Sequence, residues 1–135
     1  MNKNANFFID VLRLMPDDAS VVLYSTEEEI LKALRKIVST AIIDRAEVII
    51  PLASRRELIK ALVCSDVLPH IIHITILKAE KELYNSYDRM MGCYIRKPVL
   101  LPLHFINKYS LQECKTEWVF CGEEWEGMEQ YILIL

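Results

Sequence analysis

Two short apolar runs, each leading directly into a helix-start signal, constrain the fold more than any other feature of this sequence. Residues 20–25 precede the tetrapeptide TEEE at 26–29, and residues 47–52 precede SRRE at 54–57. In both tetrapeptides the hydroxyl can accept a hydrogen bond from a free helix amide, while the glutamate three residues later bonds back to the first amide. Each run therefore predicts a strand that is followed at once by a helix.

A third apolar run, residues 71–77, precedes a segment with helical spacing. Over residues 80–91 the side chains of Leu83, Tyr87 and Met90 recur at intervals of four and three, which predicts a third helix. Three strand-then-helix units in succession predict parallel strands joined by right-handed crossovers.

The chain divides into three parts of different character. Residues 1–19 predict an N-terminal packing helix, residues 20–92 a βαβαβα arrangement, and residues 93–135 a β-rich part. Its last strand, at 131–135, is expected beside one of the first three strands. A chain of 135 residues with 53% hydrophobic side chains is long enough for one core. We therefore predict a single α/β domain over 1–135, with a mixed, mostly parallel sheet of about six or seven strands and flanking helices.

Composition narrows the classes of partner. The 16 Lys and Arg residues against 19 Asp and Glu give a formal net charge of -3, which leaves no positive surplus for a phosphate backbone and makes nucleic acid an unlikely partner. No apolar run has the length of a membrane span. Asp10 interrupts the apolar patch near the N-terminus, unlike the core of a secretory signal. We expect a cytoplasmic protein without a membrane partner.

Neither a metal nor a cofactor is expected. His70 and His73 are three residues apart, an offset that on a strand points the two side chains to opposite faces, so they cannot chelate one metal there. We expect His73 to be a hydrogen-bonded strand residue and His70 to follow a turn formed by Pro69. Glycine-rich phosphate loops and the common hydrolase and zinc motifs do not occur in the sequence. The cysteines, none of them in a C-x-x-C pair, are Cys64, Cys93, Cys114 and Cys121. We expect buried free thiols, and a disulfide is the alternative if the source is a hyperthermophile.

Polar residues after the predicted strands form a candidate ligand site. Because the carboxyl ends of parallel strands meet at one edge of a sheet, the helix starts at Thr26 and Ser54 should offer free amides there to a small polar or anionic ligand. Arg55 and Arg56 form a basic pair beside the second start. Ordinary helix capping and a solvated helix face are the alternative explanations.

The order of these segments resembles one half of a phospholipase D-like protein, and also the similar C-terminal effector domain of the TrmB family of archaeal regulators. The resemblance covers roughly residues 20–125 and implies a phospholipase D-like strand order. It also implies that Lys108 occupies the position of the phosphate-holding lysine of that family. Lys108 would then lie on the same rim as Thr26, Ser54 and Arg55.

The catalytic signature of that superfamily, H-x-K-x(4)-D followed by a polar turn, is degenerate here. Ile106 stands at the position of the nucleophilic histidine, Glu113 at that of the aspartate, and Glu123 and Glu124 at those of the later serine and asparagine. Since phosphodiester attack needs the histidine, the resemblance implies a non-catalytic binding or regulatory module rather than an enzyme. An isolated half leaves its pairing surface open, so we expect a homodimer.

Two other functions stay open. His104, Lys108 and Glu113 are the nearby histidine, lysine and carboxylate, and a symmetric dimer would bring two such sets together in a phosphodiesterase-type enzyme. A structural or interaction protein of a virus or mobile element also fits the length and the lack of a motif. Trp125, which lies among acidic residues, is the candidate for a partner surface.

Overall fold

The computed structural model describes residues 3–90, 92–96, 102–109 and 131–134. Within these residues the strands are β1 (Ser20–Tyr24), β2 (Ile42–Asp44), β3 (Glu47–Pro51), β4 (His73–Lys78), β5 (Lys81–Tyr87), β6 (Gly92–Arg96) and β7 (Tyr131–Ile134). The α-helices are α1 (Lys3–Leu14), α2 (Glu28–Ile37), α3 (Arg55–Cys64) and α4 (Leu103–Tyr109). Two 3₁₀ turns, Leu52–Ser54 and Leu68–His70, precede α3 and β4.

All neighbouring strands in the single sheet run antiparallel. The strand order is β2-β3-β1-β4-β5-β6-β7. The interior strand β1 pairs Ser20 with Pro51 and Tyr24 with Glu47 of β3, and it pairs Tyr24 with His73 of β4. The predicted mixed, mostly parallel sheet is therefore wrong. The last strand, β7, pairs with β6 at the sheet edge and not with one of the first three strands.

A short strand that the sequence did not predict reverses the direction of β3. After α2, the chain forms β2, which pairs with β3 through the two-residue loop at 45–46. Arg45 has a φ of 57°, in the left-handed region that tight hairpins use. β2 runs in the same direction as β1, as the strand after α2 was expected to do. β3 therefore returns between β2 and β1 in the opposite direction. No glycine or asparagine marks this turn in the sequence.

The helix predicted over 80–91 is a strand, so the third strand-then-helix unit does not exist. Ala79 and Glu80 join β4 to β5 with φ values of 50° and 67°, and left-handed conformations at both central positions make a tight hairpin. The spacing of the apolar residues suggested a helix, but alternate side chains of β5 face opposite sides of the sheet. Tyr84 lies fully buried, with its ring 6.3 Å from that of Phe8 in α1.

The helices and one face of the sheet share a single apolar core. Burial alternates along β1 and β3, where Val21, Leu23, Val48 and Ile50 are buried and the residues between them are less buried. The same core includes fully buried side chains of the helices, namely Phe8, Leu12, Leu34 and Leu58. Fully burying one such side chain contributes about 1.5–3 kcal/mol. The core therefore fixes the helical layer on one face of the sheet and leaves half-exposed side chains on the other.

Candidate functional site

One end of the sheet, where β1 ends and β4 begins, gathers polar side chains around a buried serine. Ser25 follows β1 and is 1% exposed. Its Oγ donates a hydrogen bond to the main-chain oxygen of His70 over 2.7 Å and accepts one from the amide of Glu27 over 3.1 Å. Ser25 thus ties the start of α2 to the 3₁₀ turn before β4. We call this region the Ser25 end of the sheet.

An imidazole and a carboxylate lie side by side at the Ser25 end. Nδ1 of His70 is 2.7 Å from Oε2 of Glu27, and the two side chains are 41% and 39% exposed. Among the described residues, Nε2 of His70 has no hydrogen-bond partner. An imidazole that a carboxylate holds at Nδ1 can accept or donate one hydrogen bond, or exchange one proton, at Nε2.

Two clefts lie on either side of Leu68 and Pro69 at the same end. The first has a volume of about 480 Å³, within the usual range for small-molecule sites. Besides Leu68 and Pro69, it is lined by Ala5, Leu62, Val63, Cys64, Ser65 and Asp66. The second, of about 250 Å³, is completed by Asn4, Arg89 and Met90. A carboxylate therefore borders one cleft, and a guanidinium borders the other.

Arg89, in the connection from β5 to β6, donates hydrogen bonds to the turn between the clefts and to the residues that follow this turn. Nε of Arg89 donates to the main-chain oxygen of Pro69 over 3.2 Å, and its amide donates to the main-chain oxygen of Ile72 over 2.9 Å. Asp88, Arg89 and Met90 all have φ between 50° and 69°, which is costly for residues other than glycine. The connection from β5 to β6 thus has an unusual backbone at the point where Arg89 borders the second cleft.

A row of rings crosses the other face of the sheet near the Ser25 end. Tyr24 and His73 stack with centroids 5.5 Å apart, Tyr87 meets His73 edge-on at 5.9 Å, and Tyr94 lies 6.0 Å from Tyr87. Nδ1 of His73 is buried and has no hydrogen-bond partner among the described residues. As predicted, His73 lies on a strand and His70 follows Pro69 in the preceding turn. The part of the chain that the structure describes has no cluster of three side chains able to hold a metal.

The helix starts at Thr26 and Ser54 lie at opposite ends of the sheet, because β1 and β3 are antiparallel. Thr26 is exposed at the Ser25 end. Ser54 lies beyond the other end of β1, which we call the Ser54 end, and its Oγ accepts a hydrogen bond from Oγ1 of Thr40 over 2.9 Å. Five strand residues span about 17 Å. The predicted crevice that was to bring both helix starts to one edge is therefore wrong.

Arg55 is used inside the fold at the Ser54 end. Its Nη1 donates to the main-chain oxygen of Leu12 over 2.6 Å, its Nε donates to that of Leu52 over 3.1 Å, and its Nη2 pairs with Asp17. The side chain is only 16% exposed. Arg56, in contrast, is exposed. Arg55 therefore joins the end of α1 to the start of α3, and the two arginines do not act as a pair.

Lys108 lies on α4 and contacts α1. Its Nζ is 2.8 Å from Oδ2 of Asp10, which also accepts a hydrogen bond from the hydroxyl of Tyr109. Burial acts to raise the pKa of Asp10, but the hydrogen bonds from Lys108 and Tyr109 outweigh it and hold that pKa below its ordinary value. The hydrogen bond to Asp10 raises the pKa of Lys108. Lys108 and Arg55 thus contact different parts of α1 and do not line one rim.

Neither predicted capping box forms. Glu27 precedes α2 and Ser54 precedes α3, and neither side chain caps its helix. Instead, Oγ of Ser25 accepts a hydrogen bond from the amide of Glu27. The hydroxyl that bonds the start of α2 therefore lies one position before the predicted cap, Thr26. No local sequence pattern predicts the contact between Ser25 and His70, because it joins positions 45 residues apart.

The remaining candidates fall partly outside the described residues. His104 is exposed on α4, one helical turn before Lys108. Cys64 is exposed and Cys93 is buried, and both are free thiols, so the expectation of burial is wrong for Cys64. Burial raises the pKa of the Cys93 thiol. The residues outside the described part are Glu113, Cys114, Cys121, Glu123, Glu124 and Trp125.

In the described part of the chain, no helix is long and apolar enough to cross a bilayer.

Comparison with known proteins adds no functional assignment. The resemblance to phospholipase D-like and TrmB-family domains stays a prediction, since no protein-family model, no curated protein and no solved structure matches this chain.

Proposed function

We propose that this chain is a cytoplasmic, non-catalytic binding or regulatory module that takes a small polar ligand at the Ser25 end and associates with itself. The observation that carries the proposal is the pair of clefts that meet at Leu68 and Pro69. Concave sites lined by apolar side chains with a few polar groups are the usual places for small ligands.

The charges at the two clefts suggest the chemistry of the ligand. Asp66 borders the first cleft, where its carboxylate would accept hydrogen bonds from hydroxyl groups. Arg89 borders the second, where its guanidinium suits a carboxylate or phosphate. A compound that carries both hydroxyl groups and one acidic group, such as a sugar phosphate or a sugar acid, would satisfy both sides.

Thermal unfolding in the presence of defined compounds tests this proposal. Sugar phosphates and sugar acids should raise the unfolding midpoint of the wild type by more than neutral sugars or inorganic phosphate do, because a ligand that binds only the folded state stabilises it. Asp66→Asn and Arg89→Gln should each reduce the rise. Arg56→Gln and Lys108→Gln, which change cations that do not line either cleft, should retain it. A panel without any shift, or an equal shift in all four variants, would contradict the proposal.

A hydrolytic enzyme is a second candidate, and the contact between His70 and Glu27 favours it. A histidine oriented by a carboxylate is a common general base. A screen with phosphodiester and ester substrates would detect such activity. Activity that His70→Ala abolishes and His104→Ala retains would assign it to the Ser25 end. The reverse result would favour the phosphodiesterase-type site expected from His104 and Lys108.

A further inference from the structure

The edge strand β2 presents an exposed apolar side chain. It lies at one end of the sheet order and pairs with β3, and no described residue pairs with its other side. Ile42 on this strand is 63% exposed. Edge strands are commonly protected by short length, charged side chains, proline or a bulge. β2 has three residues and one charged side chain, Asp44, but Ile42 leaves an apolar side chain at this edge. The backbone groups of β2 that face away from β3 are therefore available to another strand.

The helix beside this edge carries a charge pattern that is complementary to itself. α2 packs over β2 and β3. Its first turn is acidic, with Glu28 and Glu29, and its last turn is basic, with Arg35 and Lys36. All four side chains are exposed. If two copies of α2 ran antiparallel, the acidic turn of each would face the basic turn of the other.

We propose that two copies of this chain pair edge to edge through β2, with their α2 helices side by side and antiparallel. The proposal rests on the self-association included in the proposed function and names its surface. A two-fold axis brings the same patch together from both copies, so the patch must be self-complementary. Antiparallel strand pairing and the charge pattern of α2 both meet this requirement. Binding to an unrelated partner would not require the patch to be complementary to itself.

The pairing register follows from the side chains of β2. Residues opposite each other on antiparallel strands lie on the same face of the sheet. Ile42 opposite Ile42 of the second copy makes an apolar pair on the axis. The same register keeps the two Asp44 carboxylates apart, whereas a register with them opposed would be destabilised by like charges.

A substitution at the axis tests the strand contact. Ile42→Asp places two carboxylates opposite each other and should raise the dimer dissociation constant by about tenfold or more, measured by sedimentation velocity over a dilution series. The matched control is Leu103→Asp, which changes an exposed apolar residue on α4 that is 72% exposed and should leave the dissociation constant unchanged.

Charge reversal tests the helix contact. Glu28→Lys alone and Arg35→Glu alone should each weaken the homodimer by about threefold or more, because like charges then face each other twice. An equimolar mixture of the two variants should recover dimerisation to near the wild-type level, since both contacts become attractive in the heterodimer. A merely structural effect of either substitution would not be rescued by mixing.

The outcomes separate the failure of this interface from that of the proposed function. A wild type that stays monomeric at the highest attainable concentration overturns both the β2 interface and the proposed self-association. A dimer that is insensitive to Ile42→Asp, or charge variants that mixing does not rescue, overturns the β2 interface alone. Ligand binding in the thermal assay is decided independently of either result.

Discussion

The Ser25 end and the Ser54 end of the sheet begin from nearly the same sequence signal but are built differently. At the Ser25 end a buried serine bonds two main-chain groups, while the side chains of Glu27 and His70 stay half exposed beside the clefts. At the Ser54 end the cation that looked available, Arg55, is turned inward onto carbonyl groups of α1 and of the preceding turn. A polar residue can offer a ligand only those hydrogen-bonding groups that the surrounding backbone does not already use.

The largest effect that would test this contrast is expected from Arg55→Ala at the Ser54 end. The substitution removes three contacts of a mostly buried cation and leaves the carbonyl groups of Leu12 and Leu52 without this donor, so we expect a loss of about 2–3 kcal/mol in the free energy of unfolding. Chemical denaturation measures it. Arg56→Ala, at the exposed neighbouring position, should change stability by about 0.5 kcal/mol or less. Equal losses in the two variants would show that Arg55 is not a structural residue.

A smaller loss is expected from Ser25→Ala at the Ser25 end. The substitution removes the partner of the Glu27 amide and of the His70 carbonyl, at a site that water does not reach freely, so the expected cost is about 1–2 kcal/mol. Thr26→Ala, which removes an exposed neighbouring hydroxyl, is the control. It should lower the free energy of unfolding by a few tenths of the amount expected for Ser25→Ala. If the two alanine variants unfold at the same denaturant concentration, the buried serine does not hold this end together.

The contact between Lys108 and Asp10, which belongs to neither end, should show itself as a pH dependence. Because the pKa of Asp10 is lowered in the folded protein from its ordinary value of 3.8, the unfolded chain binds this proton more tightly and acid favours unfolding. The stabilisation is present above about pH 4 and is lost as the pH falls through the lower folded pKa.

The measurement compares the wild type with Asp10→Asn across this range of pH. The wild type should be more stable by about 1 kcal/mol near neutral pH, and the difference should shrink with acid below about pH 4. A difference that does not vary with pH would mean that the charge of Asp10 does not contribute to the contact between α1 and α4.

The smallest effect is expected from the exposed pair at the Ser25 end. A double-mutant cycle with Glu27→Gln and His70→Gln should give a coupling free energy of about 0.5 kcal/mol. Half-exposed polar contacts of this kind contribute little because solvent screens them. A coupling well above 1 kcal/mol would instead place this pair among the structural contacts, as Arg55 is at the other end.

Several parts of the fold were readable from local sequence patterns. The β-branched runs predicted β1 and β3 to within one residue at each end, and the N-terminal packing helix predicted within residues 1–19 is α1. The helices predicted to begin near 26–29 and 54–57 do begin there, although the predicted capping side chains form no capping hydrogen bond. These features depend on neighbours within four residues, which the sequence displays directly.

The two hairpins were not readable, for a specific physical reason. The turns before β3 and β5 need left-handed backbone conformations, and glycine or asparagine normally announces them. Here Arg45, Ala79 and Glu80 adopt those conformations because the strand pairing on either side holds them there. Without the usual turn residues, the segment after Glu80 offered only its apolar spacing, which suited a helix as well as a strand.

The sequence by itself determined where strands and helices begin, which of their residues are apolar enough for the core, and the charges of the two helix starts. Only the tertiary structure decided the direction of the strands, and with it which loops share an end of the sheet. Alternating apolar residues bury one face equally well in parallel and antiparallel pairs. The choice between them therefore depends on how turns far apart in the chain close. That choice placed Ser25 and Glu27 beside His70, and it placed Thr26 about one strand length away from Ser54 and Arg55.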